Sequence, residues 1–259
     1  MDWLLTDDRG PVRWLTVNRP EKKNALPADG WPDLRRAIED FQSSDQRVLV
    51  VTGAGEDFCA GADLDPARFD RESTVVERHR RMKDVGSVPL TLHRLSKPTI
   101  AAVDGVAVGA GLNLALSCDL VIATDRARFS EIFVRRGLAL DTGGSWLLPR
   151  IVGLQRAKEM SLTGRIVGAE EALAIGLVIE VVTPDSLEER VAEVAEELLR
   201  GAPLAQGFVK QMLNASFGSS LGDAIAWEGQ AQAVLMASED VREGVAAFNE
   251  KREPNWKGR

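Results

Sequence analysis

The chain has 259 residues, of which 44% are hydrophobic and 27% are charged. This composition is typical of a folded globular protein, and the length is sufficient to bury a large core. The formal net charge of -7 argues against nucleic-acid binding, because that binding needs a basic surface that neutralises phosphates. Two cysteines and two histidines are too few for a disulfide framework or a zinc-type site, so we expect no metal.

The first residues and the most apolar stretch of the sequence bear on the protein's cellular location and on membrane contact. Residues 1–8 contain neither a basic region nor an apolar one, so no secretory signal is predicted and we expect a cytoplasmic protein. Residues 98–123 are apolar, but Asp104, Asn113 and Asp119 interrupt them. That pattern is typical of buried strands and a buried helix, so we expect no interaction with a membrane.

Strand and helix patterns alternate along the first 200 residues, which predicts an α/β fold class. The apolar patterns predict strands at 12–18, 47–52, 97–103 and 119–123, and helices at 28–41, 73–95 and 109–117. The run at 47–52 is continuously apolar, as in a strand covered on both faces. Segments 48–64 and 100–116 each pass from a strand through a glycine-rich turn into small residues, which indicates a weak internal repeat.

The pattern changes near residue 200, after which no strand is predicted. Helical spacing continues through 204–217, 221–238 and 241–251. We therefore divide the chain into a core of residues 1–200 and a helical region of residues 201–259. The apolar faces of these helices favour packing on the chain's own core or on a second copy of the chain.

Two segments have the features of a site that stabilises negative charge. Residues 58–64 are mostly small, which lets a ligand approach the main chain. In residues 104–113, glycines lead into a predicted helix whose first N–H groups have no partner in the helix and carry partial positive charge. Main-chain N–H groups of this kind suit a developing oxyanion.

In their order and spacing, these two segments resemble the signature regions of the crotonase (enoyl-CoA hydratase/isomerase) superfamily. Residues 18–20, 24–26 and 248–252 extend the likeness over nearly the whole chain. The resemblance implies a crotonase-like spiral of ββα repeats and a C-terminal helical trimerisation region. It also implies a homotrimer or dimer of trimers and an acyl-CoA thioester substrate, whose CoA makes a separate cofactor unnecessary.

Carried over residue by residue, the resemblance assigns the oxyanion N–H donors to Ala62 and Ala110. It gives the other substrate and CoA contacts to Lys22, Lys23, Ala25, Ala60, Gly61, Asp63, Leu64, Gly109, Asn113, Phe133, Phe248 and Lys251. Phe248 and Lys251 would approach the ligand of a neighbouring subunit. The basic turn around Lys22 could equally be a solvated loop, and Asp65 replaces a lysine that some hydratases carry. The acyl end of the pocket would be lined by residues 66–88.

The acid and base groups differ from those of the family's hydratases, which use two glutamates. Asn113 and Phe133 stand at those positions, and neither side chain can act as a general base. Residues 137–150 instead resemble the isomerase branch that includes the epoxyphenylacetyl-CoA isomerases. In that branch an aspartate at the position of Asp141 moves a proton between carbons, so we expect an enoyl-CoA isomerase that uses Asp141.

Other interpretations of the same residues remain open. Asp141 could cap the helix that follows it. Glu131 could be a displaced second carboxylate, but its offset by one residue on a strand favours a solvent-facing or paired side chain. At the level of function, the alternatives are a hydratase with a non-standard acid/base set and a catalytically weak acyl-CoA-binding protein.

Two further enzyme classes fit less well. Asp141 also matches the nucleophile of the chlorobenzoyl-CoA dehalogenase branch, but Phe133 and Gly86 replace a tryptophan and a histidine of that branch. His79 and His93 are expected to be ordinary helix residues. Neither glycine-rich turn completes a dinucleotide-binding fingerprint, because Phe58 and Asn113 or Leu114 stand where a third glycine is needed.

Overall fold

The computed structural model describes residues 2–64 and 73–259. Asp65 and the first part of the predicted acyl-pocket region 66–88 lie outside the described residues, so the expectations placed on them stay predictions. In the described part, a six-stranded sheet, a small three-stranded sheet and ten helices form a mixed α/β fold, as expected.

The main sheet carries the core and is parallel apart from its first pair. In sequence its strands are β1 (Leu4–Arg9), β2 (Val12–Val17), β3 (Val48–Gly53), β4 (Thr99–Val103), β6 (Leu120–Thr124) and β9 (Glu180–Val182), and they lie side by side in that order. β1 and β2 form an antiparallel hairpin, and every later neighbour is parallel. The four predicted strands are all present, whereas β1 was not predicted.

The small sheet lies beside the glycine-rich turns. It consists of β5 (Val106–Val108), β7 (Arg128–Ser130) and β8 (Val167–Gly168), with β5 parallel to β7 and β7 antiparallel to β8. β5 follows β4 after a turn at Gly105, whose φ is +55°. The chain thus leaves the main sheet, forms a strand of the small sheet and then enters a helix.

Helices cover both faces of the main sheet. Those of the core are α1 (Trp31–Gln42), α2 (Val75–Arg94), α3 (Ala110–Leu116), α4 (Gly144–Val152), α5 (Leu154–Thr163), α6 (Ala169–Ala174) and α7 (Leu187–Leu199). Leu49 and Val51 of β3 face the larger hydrophobic core, whereas Val48 and Val50 pack in a second core with α7. A strand buried on both faces was the interpretation of this continuous apolar run, and it is confirmed.

The last part of the described chain is helical. Its helices are α8 (Pro203–Ala215), α9 (Leu221–Met236) and α10 (Glu239–Glu250). Lys210 of α8 is paired with Asp119 at 2.8 Å, and Arg47 donates to the carbonyls of Leu199 and Gly201, so this region is docked on the core.

The described chain contains no helix that is long and apolar enough to cross a membrane. The apolar stretch 98–123 is β4, β5, α3 and most of β6, as predicted. Cys59 and Cys118 are buried free thiols, and burial raises the pKa of each to about 12. His79 is exposed, and His93 is half-buried with its ring edge-on to Trp146.

Candidate active site

The two predicted oxyanion segments come together at the small sheet. Isolated parallel bridges join Cys59 to Ala107 and Leu26 to Ala62. In the second bridge, Leu26 forms hydrogen bonds with the residues on either side of Ala62. The Leu26 N–H donates to the Gly61 carbonyl at 2.7 Å, and the Asp63 N–H donates to the Leu26 carbonyl at 2.9 Å. In a strand that pairs in this way, the N–H of the residue between them, Ala62, points away from Leu26.

The second donor, Ala110, is the first residue of α3. Gly109 precedes it with φ 56° and ψ −126°, a conformation that essentially only glycine adopts, and its N–H donates to the Ser130 carbonyl at 2.8 Å. Among the described residues, no acceptor is found for the N–H of Ala62 or of Ala110. Both groups are therefore available to a ligand as far as the described chain is concerned.

Two glycines let the segments approach each other. A Cβ on Gly61 would lie 2.9 Å from the Val108 carbonyl oxygen and 3.5 Å from the Ala110 nitrogen. A Cβ on Gly111 would lie only 2.1 Å from the Cys59 carbonyl oxygen. The main chain of residues 59–61 thus packs directly on the start of α3, and the two candidate donors belong to one rigid contact.

The basic turn at residues 19–23 lies at the edge of the first segment and is paired with acids. Lys22 and Arg19 contact Asp63 at 2.9 and 3.0 Å, and Lys23 contacts Asp57 at 3.0 Å. The hydrogen bond from Lys22, followed by that from Arg19, lowers the pKa of Asp63. Half or more of each lysine side chain remains exposed, so both could still meet a phosphate.

Asp141 lies in the loop before α4 and is half-buried. Burial raises the pKa of its carboxyl group, while a 2.6 Å hydrogen bond donated by the Thr142 hydroxyl acts in the opposite direction. Gly143 is the N-cap of α4 and no side chain caps this helix, so the interpretation of Asp141 as an N-cap is wrong. A weakly acidic carboxyl group of this kind is suited to taking up and returning a proton.

Asn113 links α3 to the loop that contains Asp141. Its side chain is fully buried, and its Nδ2 donates to the Asp141 main-chain carbonyl at 3.0 Å and, more weakly, to Glu131 Oε2 at 3.4 Å. Gly144 provides the space, because a Cβ there would lie 2.4 Å from Asn113 Nδ2. The buried Asn113 side chain therefore joins α3 to the Asp141 loop and to Glu131.

Glu131 is the residue whose side-chain direction the sequence pattern left open. Of the two expected alternatives, a solvent-facing side chain is wrong, because Glu131 is fully buried, and a paired side chain is found, because Oε2 accepts from Asn113 at 3.4 Å. Its Oε1 has no hydrogen-bond partner among the described residues. Burial raises the pKa of Glu131 to about 8, the hydrogen bond from Asn113 opposes this, and the charge of Asp141 adds to it. The physical reason is local: β7 ends at Ser130 and the chain turns, with φ −85° and ψ 66° at Glu131, so the alternation of a strand no longer applies.

Phe133 lies next to the start of α3. It is buried, and a Cβ on Gly109 would lie 3.6 Å from its ring. The position that holds a glutamate in hydratases of the resembled family is therefore occupied here by an apolar ring close to the start of α3. Phe133 offers no acid or base group, whereas Asn113 connects α3 to two residues that carry carboxyl groups, Asp141 and Glu131.

The other predicted contacts divide into two groups. Ala25, Ala60 and Leu64 belong to the chain around the Leu26–Ala62 bridge, and the Ala60 N–H donates to the Lys23 carbonyl at 2.9 Å. Phe248 and Lys251 are instead at the end of α10, where Phe248 is 83% exposed. The single chain thus does not bury Phe248 against the site, and its predicted contact with a neighbouring subunit's ligand stays a prediction.

A cavity of about 680 Å³ lies apart from the candidate site, between the core and α8. His93, Trp146, Arg150 and Phe217 line one part of it. The Arg150 guanidinium stacks on Trp146 at 4.0 Å. We do not assign the reaction to this cavity, because Ala62, Ala110 and Asp141 are not among its lining residues.

The chain is similar to proteins with both isomerase and hydratase names. It is 36% identical to a 1,2-epoxyphenylacetyl-CoA isomerase of Escherichia coli, with 100% of each chain covered. It is 36% identical to a short-chain-enoyl-CoA hydratase of Clostridium acetobutylicum, with 96% of this chain and 95% of that protein covered. A crystal structure of an enoyl-CoA hydratase from Bacillus anthracis superposes with a TM-score of 0.93 at 32% identity, covering 99% of this chain and 100% of the other.

A sequence model of one family extends over almost the whole chain. The model described as enoyl-CoA hydratase/isomerase matches residues 8–259, which include both predicted oxyanion segments, Glu131 and Asp141. These similarities lead to one conclusion: the chain belongs to the enoyl-CoA hydratase/isomerase family.

Proposed function

We propose that this protein is an enoyl-CoA isomerase that moves a double bond along an acyl-CoA thioester, with Asp141 as the group that carries the proton. The observation that supports it most directly is the Asp141 carboxyl group: half-buried, with its pKa raised by burial, and hydrogen-bonded to Thr142. It lies in a loop that Asn113 ties to the oxyanion helix. A base in this place needs no second carboxylate for a 1,3-proton shift.

In the proposed reaction, the thioester oxygen is bound by the N–H groups of Ala62 and Ala110. Asp141 removes a proton from one carbon of the acyl chain, and the negative charge that develops moves to the thioester oxygen. Main-chain donors that are already in place stabilise this charge, and each is typically worth about 3 to 4 kcal/mol in the transition state. Asp141 then returns the proton two carbons away, which shifts the double bond.

The test is the Asp141→Asn variant, assayed for conversion of a 3-enoyl-CoA to a 2-enoyl-CoA. Because an amide cannot accept the proton, we expect kcat to fall by about 100-fold or more while acyl-CoA binding remains within a few-fold. Exposed Asp185, changed to Asn, is the matched control and should behave as the wild type. Equal rates for wild type and Asp141→Asn would end the proposal, and equally slow rates with acyl-CoA still bound would leave a catalytically weak acyl-CoA-binding protein.

A hydratase with an unusual acid/base set is the second candidate, and Glu131 is the observation that favours it. Asp141 and Glu131 are two carboxyl groups near the site, both with raised pKa values, although Asn113 and Phe133 occupy the usual glutamate positions. One group could activate water while the other supplied a proton. Rapid hydration of crotonyl-CoA by the wild type would favour this candidate over the isomerase.

For the assembly we propose a homotrimer or a dimer of trimers. Large apolar side chains on the C-terminal helices remain exposed in the single chain, beyond what isolated surface residues need. They include Leu213, Phe217, Leu221, Ile225, Met236 and Phe248. A mass of three or six chains in solution is the expected result.

A further inference from the structure

Glu131 lies where three parts of the site meet. It directly follows β7, whose last residue, Ser130, accepts the N–H of Gly109 at the start of the oxyanion helix. On the other side, its main-chain oxygen lies close to Gly164, where a Cβ would be 3.4 Å away. The backbone of Glu131 thus lies between the start of α3 and Gly164, and its side chain is fully buried.

One amide group connects Glu131 to Asp141. The two hydrogens of Asn113 Nδ2 are both used, one toward Glu131 Oε2 at 3.4 Å and one toward the Asp141 carbonyl at 3.0 Å. Asn113 also lies one helical turn after Ala110. Movement of the Glu131 carboxyl group would therefore reach both the Asp141 loop and the oxyanion helix through the same side chain.

The surroundings of Glu131 favour its uncharged form. Within the described chain, the groups that act on its ionisation are Asn113, on α3, and the carboxyl group of Asp141, in the loop before α4. Arg135, on the turn that follows Glu131, is directed elsewhere, because its Nε donates to the Thr163 carbonyl at 3.0 Å. An anionic Glu131 would have one long hydrogen bond, one oxygen with no described partner and a second anion nearby. A buried charge with so few partners is energetically unfavourable, because the hydration it loses is not replaced.

We propose that Glu131 is a positioning residue for Asp141. Its uncharged carboxyl group fixes the Asn113 amide, the amide fixes the backbone of Asp141, and Asp141 is left as the anionic carboxylate of the site. This role rests on the proposed function, because it assigns to Glu131 the support of the residue that moves the proton. It requires no contact between Glu131 and the substrate.

The charge of Glu131 makes the role testable. Since burial raises the pKa of Glu131 to about 8, the group is neutral in neutral solution and ionises in mildly alkaline solution. Ionisation introduces an unpaired charge beside Asn113 and Asp141. We therefore expect the isomerase rate of the wild type to decline as the pH rises through about 8.

The kinetic experiment compares Glu131→Ala, Glu131→Gln and the wild type over a range of pH. At neutral pH, Glu131→Ala should lose about tenfold in kcat, because the Asn113 amide loses its partner and a void is left. Glu131→Gln, which is neutral and of the same shape, should recover most of that loss and should not show the alkaline decline. Glu170→Gln, a change of an exposed glutamate, is the matched control and should keep the wild-type pH profile.

An infrared measurement tests the same proposal without activity. The wild type at neutral pH should show the carbonyl band of a protonated carboxylic acid that Glu131→Gln lacks, and this band should disappear as the pH rises through about 8. The carboxylate band of Asp141, identified by its loss in Asp141→Asn, should shift in Glu131→Ala and return toward its wild-type position in Glu131→Gln.

The outcomes separate this inference from the proposed function. Loss of activity in Glu131→Ala that Gln does not repair, an alkaline decline that persists in Glu131→Gln, or an Asp141 band that does not respond to Glu131 would each overturn the inference. If Asp141→Asn is as active as the wild type but the infrared coupling is present, the proposed function fails and the structural link between Glu131 and Asp141 stands.

Discussion

Thr142 controls how strongly Asp141 holds its proton. The Thr142 hydroxyl donates a 2.6 Å hydrogen bond to Asp141 Oδ1, and this bond lowers the pKa that burial raises. Thr142→Val removes this bond but keeps the β-branched shape. Because Thr142 has a φ of 51°, keeping the shape also keeps the backbone strain the same in both proteins. We expect the pKa of Asp141 to rise further and the acidic limb of the kcat/KM profile to move to higher pH.

Thr142→Ser is the control for this prediction, since it keeps the hydroxyl group and should keep the acidic limb near its wild-type position. The profile of kcat/KM against pH for both variants is the measurement. An unchanged limb in Thr142→Val would mean that a different group governs the acidic side of the reaction.

At the scale of single residues, sequence motifs allowed candidate main-chain donors to be predicted. They did not allow the direction of a side chain to be predicted where that direction depends on a local turn. The small residues and the predicted helix start indicated the two segments, the family resemblance assigned the donors to Ala62 and Ala110, and the structure brings the segments together. Glu131 was misjudged because a strand was assumed to continue past Ser130. One residue outside the strand conformation is enough to turn a side chain from one face to the other. The hydrophobic periodicity of the sequence does not show where a strand ends in this way.

At the scale of elements, the site depends on the contact between α3 and the segment 58–64. Gly111 makes this contact possible, because a Cβ there would lie 2.1 Å from the Cys59 carbonyl oxygen. In Gly111→Ala the helix must move away from Cys59, which should separate the N–H groups of Ala62 and Ala110. We expect kcat/KM to fall by about 100-fold or more, as when one oxyanion donor is lost.

Gly168 offers the matched control for this prediction. It has no atom within 4 Å of the Cβ position and an ordinary φ of −80°, so Gly168→Ala should leave kcat/KM close to the wild-type value. Thermal unfolding of both variants shows whether the loss in Gly111→Ala comes with general unfolding. Full activity of a folded Gly111→Ala would show that the two segments tolerate a wider separation than the structure indicates.

The predicted elements were those whose burial leaves a pattern in the sequence. The first four residues of β3 and the last four of β4 are apolar and buried because both faces are covered, and α3 consists entirely of buried residues. β1 was missed because it is an edge strand in which Leu4 alone is buried, so its sequence shows no alternation. Helix α1 begins at Trp31 rather than at residue 28, after a turn in which the Gly30 N–H donates to the Pro27 carbonyl.

For the whole molecule, the helical character of residues 201–259 followed from the sequence, but their attachment to the core did not. Trp256 Nε1 donates to the Arg200 carbonyl at 2.7 Å, and the buried carboxylate of Asp240 accepts the main-chain N–H groups of Lys257 and Gly258. The end of the chain is thereby folded back over α10 and the end of α7. Such contacts join residues that are distant in sequence, and local patterns carry no information about them.

The stability of the folded protein should report the charge of Glu131. Its pKa is raised from the ordinary value of 4.5 to about 8, so between these limits the folded chain retains a proton that the unfolded chain releases. The contribution of Glu131 to stability is therefore complete below about pH 4.5 and is lost as the pH rises to about 8. Asp63 and Asp104 have lowered pKa values, so their contributions are present above the ordinary aspartate range and are lost on acidification.

Comparison with Glu131→Gln isolates the ionisation of Glu131 and its effect on Asp141, because carboxyl groups that do not interact with Glu131 contribute equally to both proteins. Relative to the variant, the wild type should lose stability by up to about 1.4 kcal/mol per pH unit as the pH rises from about 4.5 toward about 8. Urea unfolding at several pH values, at one fixed protein concentration because assembly adds to stability, is the measurement. Parallel curves for the two proteins would mean that Glu131 ionises inside the fold as easily as in water, which its burial between Asn113 and the Asp141 loop argues against.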